Sequence, residues 1–251
     1  MKSKKRIALL VVLGLVLALA VGCAVYLLTY YRAAPEALEI LEHPAGGVTV
    51  ERFKGGDLAF VPEAPRAGLI FYPGGKVDER SYAPLMQALA ERGILCVVTK
   101  MPARLAVLDQ NAADGLRENW PQIEDWYLGG HSLGGVVASL YLEKHPGEYR
   151  GLILLASYST KDLSGTGLRV LSVYGSEDGV LKREEYRKAL ANLPQDRTEL
   201  VIEGGCHAGF AFYGPQRGDG TPTITSREQI EQTAEAVANF LFAAEEQQQA
   251  A

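Results

Sequence analysis

The pentapeptide Gly130-His131-Ser132-Leu133-Gly134 constrains this chain more than any other stretch, because it divides an apolar run ending at Tyr127-Leu128 from a helix-like run over residues 135–144. A serine flanked by glycines at a strand-to-helix turn is what a nucleophile elbow requires. The backbone there is too crowded for side chains on its neighbours, and the turn lifts the serine Oγ above the sheet. The motif alone is weak, since Gly-x-Ser-x-Gly arises by chance in roughly one chain of this length in ten.

Its weight comes from the order of the motifs downstream. The strand-like run 168–174 leads into Gly175-Ser176-Glu177-Asp178-Gly179, and the strand-like run 199–202 leads into Gly204-Gly205-Cys206-His207-Ala208-Gly209. Asp178 lies 46 positions after Ser132, and His207 lies 29 positions after Asp178. A serine hydroxyl becomes a nucleophile when a base takes its proton, and histidine is the side chain whose ordinary pKa suits that task near neutrality. A carboxylate on the far imidazole nitrogen fixes the tautomer and stabilises the imidazolium.

A further stretch, Phe71-Tyr72-Pro73-Gly74-Gly75-Lys76-Val77-Asp78, completes a set of four motifs that each come after an apolar run. Together they make the chain resemble the α/β-hydrolases, in particular small bacterial members whose first loop reads Tyr-Pro-Gly-Gly-Lys-Val; the similarity covers roughly residues 69–241. The resemblance implies catalytic Ser132, Asp178 and His207, with Asp178 preferred to Glu177 because Gly-x-x-Asp is where the family places its acid. It also implies oxyanion donors from the N–H of Leu133 and of Gly75, with Gly74 as an alternative to Gly75. Tyr72, Gly74, Lys76 and Phe210 are candidates to border the substrate cleft, with a core position the equal alternative for Tyr72 and a solvated one for Lys76. The chemistry implied is cleavage of a small-molecule ester or thioester through an acyl-enzyme, with no metal and no cofactor. Dienelactone-hydrolase-like action on cyclic esters is an alternative that sits less well with a serine nucleophile. A non-catalytic surface binding protein on the same fold is a third reading.

Short apolar runs at 68–72, 94–99, 126–128, 151–156, 168–174 and 199–202 alternate with helical stretches such as 81–92 and 183–193. This pattern predicts an α/β fold with a mostly parallel sheet and helices on both faces. Residues 47–53 and 58–62 read as a hairpin ahead of it. The active site of such a sheet lies beyond the carboxyl ends of its strands, where all four motifs fall. Only about ten residues join the run ending near Ser157 to that starting at Leu168, too few for a large cap domain. The long irregular stretch 208–225, rich in Gly and Pro, comes directly after His207 and is expected to border the cleft. A final helix over 226–242 should bury Ile230, Ala234, Val237, Phe240 and Leu241.

Residues 7–28 form 22 apolar positions without a charge, about 33 Å as a helix against a hydrocarbon core of about 30 Å. Lys2, Lys4, Lys5 and Arg6 precede this run, which favours a cytoplasmic amino terminus and an extracytoplasmic domain at the cell membrane; Tyr26, Tyr30 and Tyr31 stand at its far end like an interfacial belt. The predicted organisation is a basic segment and single-pass signal anchor over 1–32, a hydrolase domain over 33–244, and a disordered tail over 245–251. Ala20-Val21-Gly22-Cys23 also resembles a lipobox, and a cleaved, secreted form is a further alternative. With +5 on the first 32 residues and −5 on the whole chain, the remainder carries −10. An acidic domain argues against a nucleic-acid partner. Cys96 reads as a buried hydrophobe, and neither it, Cys206 nor the four histidines has zinc spacing.

Overall fold

A computed structural model of the chain describes residues 2–53, 55–145 and 147–249. It separates into two compact units, residues 1–30 and 31–251. The first holds helix α1 (Lys2–Leu28), and its stretch Lys4–Leu28 is long and apolar enough to cross a membrane; a signal sequence would have the same character. None of its apolar window is buried against protein.

The second unit begins with α2 (Pro35–Glu42) and is built on one sheet of eight strands: β1 (Thr49–Arg52), β2 (Leu58–Val61), β3 (Ala67–Tyr72), β4 (Ile94–Val98), β5 (Trp126–His131), β6 (Gly151–Leu155), β7 (Arg169–Gly175) and β8 (Arg197–Ile202). The order across the sheet is β1-β2-β4-β3-β5-β6-β7-β8. β1 and β2 pair antiparallel, as the hairpin reading requires, and β2 joins β4 antiparallel; every other pairing is parallel. The sheet is therefore the mostly parallel one anticipated from the alternating pattern.

Side-chain alternation divides the core into two layers. Leu69 and Phe71 of β3 and Ile94, Cys96 and Val98 of β4 pack on one face, whereas Ile70, Tyr72, Leu95 and Val97 pack on the other. The first face is covered by α2, α3 (Ala83–Ala90) and α6 (Ser226–Gln249), and the second by α4 (Leu133–Lys144). Because both faces are buried, the central strands are apolar throughout rather than alternating with polar residues. α5 (Arg183–Ala189) comes after β7.

α6 buries the five positions expected of it, each at most 6% exposed. Thr225 and Glu228 form a reciprocal cap at its start: Thr225 Oγ1 accepts the Glu228 N–H at 3.2 Å, and Glu228 Oε2 accepts the Thr225 N–H at 2.7 Å. The helix runs on to Gln249, beyond the point where the sequence reading begins a disordered tail. Glu, Gln and Ala are good helix formers and continue a helix that packing has already nucleated. Ala250 and Ala251 lie outside the described residues.

No α-helix is present between β4 and β5. Three short 3-10 turns (Pro102–Arg104, Ala106–Leu108 and Arg117–Asn119) take its place, in a segment punctuated by Pro102, Gly115 and Pro121. Leu116, Trp120 and Ile123 still bury against the second face. The connection from β6 to β7 likewise holds no helix, so no cap is inserted there.

Candidate active site

Ser132 stands between β5 and α4 with φ 52° and ψ −122°, a conformation an L-residue adopts only under constraint. The constraint is steric and comes from the glycines. A Cβ on Gly130 would lie 2.4 Å from the Gly134 carbonyl carbon, and one on Gly134 would lie 2.0 Å from the Tyr72 oxygen. The Ser132 N–H donates to Leu155 O at 2.9 Å, and Ser157 Oγ donates to Ser132 O at 2.7 Å. The elbow is thus tied to β6 and pressed onto the end of β3.

Asp178 and His207 arrive from the ends of β7 and β8. Asp178 Oδ2 lies 2.9 Å from His207 Nδ1, and both side chains are essentially buried. Asp178 Oδ1 accepts the N–H groups of Val180 and Leu181, each at 2.8 Å. Two main-chain donors and the imidazole therefore surround the carboxylate and hold it in one orientation. Glu177 instead accepts the Ser176 hydroxyl and takes no part in this pair. His207 Nε2 has no hydrogen-bond partner among the described residues.

Ser132 and His207 line one cleft of about 240 Å³, together with Leu133, Val136, Ser157, Tyr158, Val180, Leu181 and Lys182. No hydrogen bond joins Ser132 Oγ to His207 in this structure. The N–H of Leu133 opens α4, where a first-turn donor has no intrahelical acceptor. Gly75 lies beside it, since a Cβ there would meet Leu133 Cδ2 at 3.0 Å. The Gly74 N–H is already taken, donating to the Tyr82 hydroxyl at 2.9 Å.

The four residues expected to border the cleft are placed elsewhere. Tyr72 is fully buried, its hydroxyl donating to Gln110 O and accepting the Ala113 N–H, both at 3.0 Å. Phe210 is buried against His131 with ring centroids 5.6 Å apart. Lys76 has φ 63° and is held through its main chain, donating to Arg104 O and accepting from the Tyr31 N–H, each at 2.7 Å. Gly74 faces Tyr82 and His131. Tyr72 stands at the end of a strand buried on both faces and packs inward, and the cleft walls come instead from the start of α4 and from the segments after β6 and β7.

Asp219, which no motif marks in the sequence, stands in the irregular segment after His207. Its carboxylate accepts four backbone N–H groups: His207 at 3.0 Å, Ala208 at 2.8 Å, Gly179 at 3.2 Å and Gly220 at 2.8 Å. Burial pushes its pKa up, but these four donors outweigh that and hold it below the ordinary carboxylate range. Asp219 binds the segments carrying both His207 and Asp178. A Gly-Asp-Gly triplet in a Pro-rich loop was the available signal, and it reads equally as a plain turn.

His131 lies beneath the site. Its Nδ1 is 2.8 Å from the Tyr82 hydroxyl, and its ring centroid is 4.6 Å from that of His207. Burial, and next the proximity of His207, hold its pKa well below 6.5; the His207 main chain opposes this weakly, without a well-formed bond to Nε2. Cys96 and Cys206 are both buried free thiols, and burial, with the Asp219 charge second, pushes Cys206 up to about 11. Among the described residues no group of three His, Cys, Asp or Glu side chains is placed to hold a metal ion.

Two outcomes are expected from these contacts. Asp219→Ala strands several N–H groups and should cost about 1–3 kcal/mol of stability in urea unfolding, whereas Asp219→Asn, which keeps an acceptor, should cost less; equal stability of Asp219→Ala and wild type would remove its proposed role. His131 stays neutral when folded while the unfolded chain takes up a proton near pH 6.5, so its stabilising contribution is present above that pH and is lost as pH falls. Relative to His131→Asn, wild type should therefore lose up to about 1.4 kcal/mol per pH unit below 6.5, and parallel profiles for the two proteins would contradict this.

The alpha/beta hydrolase family profile matches residues 68–231, which is more than half of the chain. No curated protein sequence shows a significant match. Among solved structures, TT1662 from Thermus thermophilus is 20% identical with a TM-score of 0.57, over 77% of this chain and 98% of that one. Est1E from Butyrivibrio proteoclasticus is 16% identical with a TM-score of 0.55, over 78% and 98%. MGS-MChE2, an alpha/beta hydrolase enzyme from the metagenome of sediments from the lagoon of Mar Chica, Morocco, is 15% identical with a TM-score of 0.57, over 79% and 99%. At these identities the likeness is one of fold. With eight strands in this order and a family match spanning β3 to α6, the chain belongs to the alpha/beta hydrolase family.

Proposed function

We propose that the protein is a serine hydrolase that cleaves a small ester or thioester through an acyl-enzyme on Ser132. The observation that carries this reading is the 2.9 Å contact between Asp178 Oδ2 and His207 Nδ1, with the other imidazole nitrogen unpartnered in the cleft that Ser132 lines. A serine and a histidine in one cleft without a direct bond is common before substrate arrives.

In the first step Ser132 Oγ attacks the carbonyl carbon and its proton passes to His207 Nε2. Asp178 keeps the other nitrogen as the donor and stabilises the imidazolium. The negative oxygen so formed accepts the N–H groups of Leu133 and Gly75, and losing one such donor typically costs about 3 kcal/mol of transition-state stabilisation. On collapse the bond to the leaving alcohol or thiol breaks and His207 returns its proton to that group. Water, activated by the same imidazole, then releases the acid and restores Ser132.

The cleft is small, about 240 Å³, and Leu133, Val136, Val180 and Leu181 make its walls apolar. Such a space suits a short acyl or alkyl group. The apolar run within α1, preceded by lysines, supports a domain anchored at the cell membrane and facing away from the cytoplasm.

A fluorophosphonate probe on the full chain in detergent should label wild type and leave Ser132→Ala unlabelled, with hydrolysis of p-nitrophenyl acetate or butyrate falling at least about 10³-fold in the variant. Equal labelling of the two proteins would remove Ser132 from the chemistry. For the anchor, the full-length chain should remain in the membrane pellet after alkaline carbonate extraction and its domain should be digested by protease added to spheroplasts. A soluble, shortened product would instead favour cleavage.

A further inference from the structure

Tyr82 and His131 belong to no part of the mechanism above, yet they are buried at its centre. Tyr82 sits in the 3-10 turn Glu79–Tyr82 that leads into α3, and His131 is the last residue of β5 before the elbow. The Tyr82 oxygen accepts the Gly74 N–H at 2.9 Å and lies 2.8 Å from His131 Nδ1. A Cβ on Gly74 would stand 2.9 Å from His131 Nδ1 and 3.0 Å from the Tyr82 hydroxyl, so the loop backbone rests directly on this pair.

One proton lies between the tyrosine oxygen and the imidazole nitrogen, and counting donors locates it. Burial raises the Tyr82 pKa above its ordinary value and lowers that of His131, so the phenol keeps its proton and the imidazole is neutral. Were His131 to donate from Nδ1, the phenol proton would be left without an acceptor and the Nε2 lone pair without a donor. With the phenol donating to Nδ1, only Nε2–H lacks a full partner. A stranded buried polar group costs about 1–3 kcal/mol, so the second arrangement is favoured.

We infer that Tyr82 is a positioning residue for the oxyanion hole, acting through Gly74 on one side and His131 on the other. This rests on the serine-hydrolase reading for its kinetic consequence, but not for its geometry. The hydroxyl takes up the Gly74 N–H and thereby sets the next peptide plane, the one carrying the Gly75 N–H beside Leu133. Its donated proton holds His131, and with it the adjoining elbow residue, in register with the loop. The two halves of the oxyanion site belong to different connections, after β3 and after β5. A hydroxyl that bonds to both is a physical means of keeping their donors a fixed distance apart.

The test uses the full-length protein in detergent. Tyr82→Phe should lower kcat about 10- to 100-fold while KM for p-nitrophenyl butyrate changes less than about threefold, because a misplacement near 1 Å acts on the transition state more than on ground-state binding. Binding of an alkyl boronic acid, which mimics the tetrahedral adduct, should weaken by the same factor as kcat, and binding of butyrate should not. His131→Asn, which keeps an acceptor at the Nδ1 position, should stay within about threefold of wild type, and His131→Phe should match Tyr82→Phe. The double variant Tyr82→Phe/His131→Phe should be no worse than either single one, since both break one chain of bonds. A kcat equal to wild type in a Tyr82→Phe protein of lowered Tm would overturn the proposal and leave Tyr82 as core packing.

A readout that needs no turnover accompanies these. In ¹⁵N-resolved spectra of wild type, the Gly74 amide should be protected from exchange and His131 should carry its proton on Nε2; both signatures should be lost in Tyr82→Phe. A fast-exchanging Gly74 amide, or a proton on Nδ1, would refute the arrangement whether or not the protein hydrolyses esters. Absence of Ser132-dependent turnover with both signatures intact would instead refute the hydrolase reading.

Discussion

The close approach of Gly134 to the end of β3 is the constraint on which the rest of the site depends. A Cβ at that position would stand 2.0 Å from the Tyr72 oxygen and 2.5 Å from that of Pro73, so only glycine lets α4 begin against the neighbouring strand. This contact gives rise to the strained Ser132 backbone, the direction of the first N–H groups of α4, and the nearness of the Gly74-Gly75 loop to Leu133. Strain of this kind costs on the order of 1–3 kcal/mol and persists because the surrounding sheet over-determines it. β5 pairs on both sides with buried parallel strands and leaves the elbow no freedom to relax.

The histidine side of the cleft is held by charge as well as by close backbone approach, since a Cβ on Gly175 would stand 2.2 Å from the Gly205 carbonyl carbon and one on Gly220 would stand 1.9 Å from the Glu177 main-chain oxygen. Asp178 and Asp219 stand on either side of the segment that bears His207. One carboxylate addresses its imidazole, and the other addresses its main-chain N–H and that of the next residue. Asp219 also reaches Gly179, so the acid loop and the histidine loop share an acceptor. A long connection without regular structure leaves many backbone donors to satisfy, and one buried carboxylate that accepts four of them does much of what a helix or strand would otherwise do. This is how a stretch of irregular sequence can hold a buried imidazole in one place.

Much of the framework was legible in residue order. Strand runs such as 94–99 and 151–156 are apolar because they are buried on both faces, and the five inward positions of α6 obey helical spacing; both signals are local. The glycine spacing about Ser132 and the acid and histidine beyond later strands could be read for the same reason. What escaped were contacts between partners distant in sequence that no motif marks. Tyr72 and Phe210 adjoin the site along the chain but pack inward, because the alternation of a buried strand and the closing of a loop over His131 decide where they point. Tyr82, 49 residues from His131, and Asp219, 12 residues from His207, gave no periodic signal. The connection between β4 and β5 carries apolar residues at helical spacing, yet its Pro and Gly positions break it into 3-10 turns.

By itself, then, the sequence determined where the strands of the parallel sheet run, that serine, acid and histidine each come after a strand, and that an apolar amino-terminal segment is long enough to cross a membrane. These depend on short-range sterics and on apolar periodicity, which neighbours along the chain express directly. Only the tertiary structure decided which loop N–H is available beside Leu133, which carboxylate binds the histidine loop, and which side chains wall the cleft. Those outcomes turn on backbone donors and side chains that meet across the sheet, and a hydrogen bond between segments far apart in sequence leaves no periodic mark in either of them.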